Sequence, residues 1–266
     1  MMTTRAAFLV AAWALLALLP ACTTTMQGAD GREMRPANEP ADPERRARVR
    51  LELAGLYFSR GQGETALVEV KQALAAKPDL AEAHSLQGLI LASLGEPVAA
   101  EESFQRALKL APQDGGNLHN YGWFLCQQKR YADADTQFAA AVAQPQYRDA
   151  VRTLLTQGVC QARAGLWLAA ERTLSRSYEL DPANPVTAFN LAEVLLRRGE
   201  LERARFYVRR INAVPAQVSA QSLWLAARIE RRLGNVGDVQ ILGRQLQDRF
   251  PQSPETLQFE RGRFDD

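Results

Sequence analysis

Histidine and cysteine are scarce in this chain, two of the first and three of the second in 266 residues. Zinc sites and histidine-based catalysis need clustered His, Cys and carboxylate groups, and no CxxC pair or Cys/His cluster occurs. His84 and His119 stand apart, with no GxSxG, HExxH or phosphate-loop pattern around either. Gly61-Gln62-Gly63 falls between two helical stretches, where a tight turn accounts for it better than a phosphate cradle. The expectation is a non-enzyme with no catalytic residues, no cofactor and no metal. An excess of charge is missing too. The 32 basic side chains meet 30 acidic ones, a net of +2, which supplies neither a nucleic-acid footprint nor a basic run for an anionic membrane. Irregular loop sequence, in which an active site could be built, is almost absent. Acidic residues such as Glu101, Glu102, Glu193 and Glu202 read as solvated helix faces.

A membrane-spanning apolar run is also lacking. The longest candidate, Ala6 to Leu19, is too short for a comfortable span of about 20 residues. Arg5 precedes it and Leu19-Pro20-Ala21-Cys22 follows. That is the pattern of a bacterial lipobox, with a small residue beside the cleaved bond and a thiol to carry diacylglycerol. The plain alternative is an ordinary secretory signal ending near a cysteine. The reading adopted is a lipoprotein signal peptide over residues 1–21, lipidation at Cys22, and a lipidated tether over 22–42. The tether is polar, with prolines at 36 and 40 and no apolar periodicity. Thr23, where an aspartate would favour retention in the inner membrane, points to the periplasmic face of the outer membrane, with acyl chains as the anchor.

Beyond Cys22 only Cys126 and Cys160 remain, 34 residues apart. An oxidising periplasm permits a disulfide. Their repeat positions differ by two, so their side chains are expected to point apart and to be buried as free thiols.

What the chain has in abundance is repetition. Asp42-Pro43-Glu44 supplies a cap, a first-turn proline and an acidic first turn, a helix start. Ala54, Gly88, Gly122, Gly158, Ala192 and Ala227 then recur at spacings of 34, 34, 36, 34 and 35. Twelve residues after the first five comes Ala66, Ala100, Ala134, Ala170 and Ala204, and after the sixth Val239. Gly61, Gly95, Gly165, Gly199 and Gly234 lie seven residues after their anchors, with Lys129 in the third unit, and a proline falls near each repeat end. Small residues on both helices allow close approach, the mid-repeat Gly closes a helix in the left-handed conformation, and the Pro stops the next one. Larger residues such as Phe104, Phe138 and Leu174 fill the space between pairs. The fold class is all-α, a tetratricopeptide-repeat (TPR) superhelical solenoid of six helix-turn-helix repeats, about 47–80, 81–114, 115–150, 151–184, 185–219 and 220–252. Ser253-Pro254-Glu255 begins a capping segment, 253–266, which carries Leu257, Phe259 and Phe264.

Such a solenoid offers a concave groove lined by its first helices. Positions 2, 5, 9 and 12 of each repeat form the stripe expected to face it. In the first four repeats these are Arg48, Leu51, Gly55 and Phe58; Glu82, Ser85, Leu89 and Ala92; Gly116, His119, Trp123 and Cys126; and Arg152, Leu155, Val159 and Ala162. Leu51, Phe58, Leu89, His119, Trp123 and Arg152 are the candidate partner-binding residues. Apolar anchors would take a partner's helix or extended tail, and Arg152 and Arg48 would meet carboxylates. For each apolar residue, packing between neighbouring helices is the competing explanation.

The block Asn120-Tyr121-Gly122-Trp123-Phe124-Leu125-Cys126, with Tyr131, Ala134, Phe138, Pro145 and Tyr147 after it, resembles the type IV pilus biogenesis/stability lipoproteins, the PilF/PilW pilotins. The ending is similar as well: Arg249-Phe250-Pro251, Ser253-Pro254-Glu255 and Gly262-Arg263-Phe264-Asp265. The resemblance covers nearly the whole chain, with a two-residue insertion between the third and fourth repeats. It implies a lipoprotein that binds subunits of the secretin, the outer-membrane ring through which the pilus leaves the cell, and promotes their localisation and multimerisation. It also implies lipidation at Cys22. The alternative within the binding class is a TPR adaptor for cell-wall synthesis or outer-membrane protein assembly.

Overall fold

The computed structural model describes residues 42–264. Residues 1–41, which hold the expected signal peptide, the expected lipidation site Cys22 and nearly all of the expected tether, lie outside the described residues, as do residues 265–266. Within them the elements are helical: α1 (Pro43–Ser59) and α2 (Gly63–Ala76), α3 (Ala81–Ser93) and α4 (Pro97–Leu110), α5 (Gly115–Gln127) and α6 (Tyr131–Val142), α7 (Ala150–Arg163) and α8 (Trp167–Leu180), α9 (Pro185–Arg197) and α10 (Leu201–Asn212), α11 (Ala220–Arg232) and α12 (Val236–Arg249), then α13 (Pro254–Glu260). This is the all-α TPR array the spacing predicts. Helix starts follow side-chain capping where it is available. The Asp114, Asn184, Ser219 and Ser253 side chains each accept from a backbone N–H of the first turn of α5, α9, α11 and α13. The turn inside each pair is made by Gly61, Gly95, Gly165, Gly199 and Gly234 at φ of +73° to +82°, and by Lys129 at φ +60° in the third pair.

The two helices of a pair meet through matched volumes. Ala66, Ala100, Ala134, Ala170 and Ala204 are all fully buried. Each anchor on the first helix faces the residue sixteen positions later on the second. Where the anchor is Gly88, Gly122 or Gly158, that residue is Phe104, Phe138 or Leu174, and a Cβ on the glycine would lie within 2.5–2.9 Å of its side chain. Where the anchor is Ala54 or Ala192, the partner shrinks to Val70 or Val208, both buried. In the sixth pair the anchor is Ala227 and the partner Gly243, and the space is taken by the Phe259 ring from α13. A large residue sits opposite glycine and a smaller one opposite alanine, so interior density is kept while the sequence varies.

The cysteines differ from the expectation. Cys126 and Cys160 form a disulfide between α5 and α7, with Cα atoms 6.0 Å apart. The expectation took side chains two positions apart as pointing away from each other, since two residues turn a helix by about 200°. Yet α5 and α7 run side by side in the same direction, so opposite sides of the two helices face one another. A two-position difference is therefore what brings the thiols together.

Candidate protein-binding groove

The first helices of the six pairs carry the groove residues. Position 9 forms the clearest stripe: Gly55, Leu89, Trp123 and Val159, then Glu193 and Arg228, all partly exposed. Leu51, Phe58, Leu89 and Trp123 each pack one side against the N-terminal core and keep another accessible. Arg152 is exposed, whereas Arg48 is ion-paired to Glu44 at 3.0 Å. The groove is thus apolar through repeats two to four and charged through five and six, where Arg228 donates to Glu193 at 3.2 Å.

Position 5 does not face the groove in the second and third repeats. Ser85 is 2% exposed and accepts a hydrogen bond from the Asn120 amide at 3.1 Å. His119 is 4% exposed, so it is not available as a partner-binding residue. Its Nδ1 lies 2.8 Å from the Thr153 hydroxyl, which also bonds the Tyr147 hydroxyl at 2.7 Å, and its ring meets Phe138 edge-on. Burial holds the imidazole neutral, lowering its pKa to about 4, with the Arg152 charge acting in the same direction and Asp149 against it. The contact between repeats three and four claims this residue because the neighbouring first helix covers the side of α5 that position 5 occupies. Glu101 also departs from a simple solvated face. It accepts from the Tyr121 hydroxyl at 2.8 Å and the Arg130 guanidinium at 2.6 Å, which together hold its pKa below the usual value despite partial burial. No group of three or more His, Cys, Asp or Glu side chains that could hold a metal occurs among the described residues. None of the helices described is long and apolar enough to cross a membrane.

The far end of the groove is covered by the chain itself. After α13 the backbone folds over α11, and the Phe264 ring lies 4.9 Å from Trp224 and 5.8 Å from Phe259. The Arg231 guanidinium stands 4.9 Å from the Phe264 ring centre, and Arg228 Nε donates to the Phe264 carbonyl at 3.3 Å. Trp224, Arg228 and Arg231 occupy positions 5, 9 and 12 of the sixth repeat. The groove stripe, carried past the fourth repeat, would have found them; the aromatic that lands on them has no periodic signal.

Paired helices stacked in series, each pair packed on the next, define a tetratricopeptide-repeat scaffold. A tetratricopeptide-repeat family profile matches residues 51–115. The crystal structure of PilW, a widely conserved type IV pilus biogenesis factor, is 30% identical, covers 79% of this chain and 96% of its own, and superposes with a TM-score of 0.73. The structure of Pseudomonas aeruginosa PilF is 26% identical, with 83% and 99% covered and a TM-score of 0.71. The Type IV pilus assembly protein PilF of P. aeruginosa strain PAO1 aligns at 28% identity over 219 residues, 82% of this chain and 86% of the relative. The chain belongs to the PilF/PilW family of TPR proteins of type IV pilus biogenesis.

Proposed function

We propose that this protein is an outer-membrane lipoprotein pilotin that binds secretin subunits and promotes their outer-membrane localisation and multimerisation. Acyl chains on Cys22 hold it at the periplasmic face, and residues 23–42 join that anchor to α1. Its non-enzymatic role is to capture one segment of a partner and keep it from pairing wrongly, and tethering raises the local concentration without adding a contact. The observation that carries the reading is the partly exposed apolar stripe Leu89–Trp123–Val159 on the first helices, extended by Leu51 and Phe58, in a chain whose relatives are pilus biogenesis factors. A central aromatic on such a surface is the residue whose loss costs most, commonly about 2 kcal/mol or more.

The test is co-purification from detergent-solubilised outer membranes. Trp123→Ala, with helicity verified by circular dichroism, is expected to recover at least about tenfold less secretin than wild type. Equal recovery would remove the groove from the account. Cys22→Ala is expected to leave the fold intact and the secretin mislocalised. Normal secretin multimers in the outer membrane of that variant would remove the anchor. Recovery of cell-wall synthases in place of secretin would select the other adaptor role.

A further inference from the structure

We propose a second binding site, between repeats four and five, that takes an aromatic side chain followed by carboxylates from a partner peptide. The site adjoins the Leu89–Trp123–Val159 stripe at its C-terminal end, sharing Val159 with it, and its test does not depend on who the partner is. It is a cavity of about 240 Å³ between α7 and α9, walled by Val159, Ala162, Trp167 and Val194 and rimmed by Arg163 and Arg197. That volume is below the roughly 300–1,000 Å³ of small-molecule pockets and suits one large side chain. Glu193, which also lines it, is engaged by Arg228 at 3.2 Å, so the nearest carboxylate is already taken up.

The chain shows how this face holds an aromatic ring. One repeat further on, Phe264 lies against Trp224 with a guanidinium on its ring and another on its carbonyl, and in the sequence Asp265 and Asp266 follow it directly. The same Arg228 joins the two places, bonding Glu193 of the cavity and the backbone of Phe264. The cavity repeats the ingredients, with Trp167 as the aromatic wall and Arg163 and Arg197 as the cations. Arg163 makes only a 3.5 Å contact with Gln127, and Arg197 has no ion-pair partner among the described residues. Beyond residue 150 every basic side chain is arginine, with no lysine. Arginine both stacks on rings and grips carboxylates through two parallel N–H bonds, which lysine cannot do. A basic peptide would meet like charge at the rim, and a purely apolar one would gain nothing from the two exposed guanidinium groups.

The experiment uses the full chain in detergent and a fluorescein-labelled Ser-Gly-Phe-Asp-Asp-Gly peptide, with fluorescence anisotropy as readout. Binding is expected, and is expected to weaken at least about tenfold when the peptide Phe becomes Ala, when both Asp become Lys, or when the protein carries Arg163→Glu with Arg197→Glu. Arg231→Glu, at the Phe264 contact, is expected to leave affinity within about twofold. Should the double reversal disturb helicity, Arg197→Gln alone supplies the same comparison. No anisotropy change up to millimolar protein would overturn the proposal. So would equal binding of the lysine peptide, or a loss confined to Arg231→Glu, which would place the peptide at the Phe264 position instead.

Discussion

At the scale of single residues, the volume pairing of anchor and partner sets what each position tolerates. A methyl group on Gly122 would lie 2.9 Å from the Phe138 ring, inside a filled interior. Gly122→Ala is therefore expected to cost about 1–3 kcal/mol. Combined with Phe138→Val, the pairing already used by Ala54–Val70 and Ala192–Val208, it should cost less than the two changes summed, by about 1 kcal/mol in a double-mutant cycle. Strict additivity in urea unfolding would show that the pair does not share one space. His119 makes a prediction in pH. Its folded pKa of about 4 lies below the ordinary 6.5, so the unfolded chain takes up the proton that the fold refuses. The contribution is full above about pH 6.5, declines as the pH falls, and is lost by about pH 4, for a total of about 3 kcal/mol. His119→Asn, which retains a partner for Thr153, should flatten stability against pH over that window; parallel curves for the two proteins would assign the slope to other groups. Sequence spacing put His119 on the right helix and the wrong side of it. Periodicity ranks faces by polarity, and a histidine satisfied by a hydroxyl 34 residues away carries no local mark of burial.

Between elements, the informative contacts are those from one pair to the next. The six pairs, the turns and the cap were legible because each repeats a small residue, a left-handed turn or a proline at a fixed interval. The Cys126–Cys160 link was not, because side-chain direction along one helix does not fix which side of the neighbouring helix it meets. The link closes a loop of 34 residues, for which chain entropy predicts about 3–4 kcal/mol of stabilisation. Cys160→Ser should lower stability by about that amount without unfolding the array at room temperature, Cys126→Ser should match it, and the double variant should add little. Thermal unfolding under oxidising and reducing conditions measures it. A wild-type midpoint indifferent to reductant would contradict the link's contribution.

Taken whole, a stack of repeats is stabilised by neighbours only, so a change at one end should stay there. Phe259 fills the space above Gly243 and touches Trp224, closing the last pair. Phe259→Ala, at a partly buried ring, is expected to cost about 2 kcal/mol locally. Hydrogen exchange should then rise in α11 and α12 while α1 to α6 keep their protection; uniform loss across the array would show a single cooperative unit instead. The partial exposure of position 9 was legible from its spacing, and the aromatic that covers the sixth pair was not, since a lone residue after the last repeat belongs to no period. That aromatic has a consequence for anything laid along the concave face. Units of one backbone geometry offer a guest several registers, each one repeat out of step with the next, and only the side chains that differ between units tell them apart. Phe264 breaks that translational degeneracy. By occupying the sixth position from within, it gives an otherwise periodic track a fixed terminus.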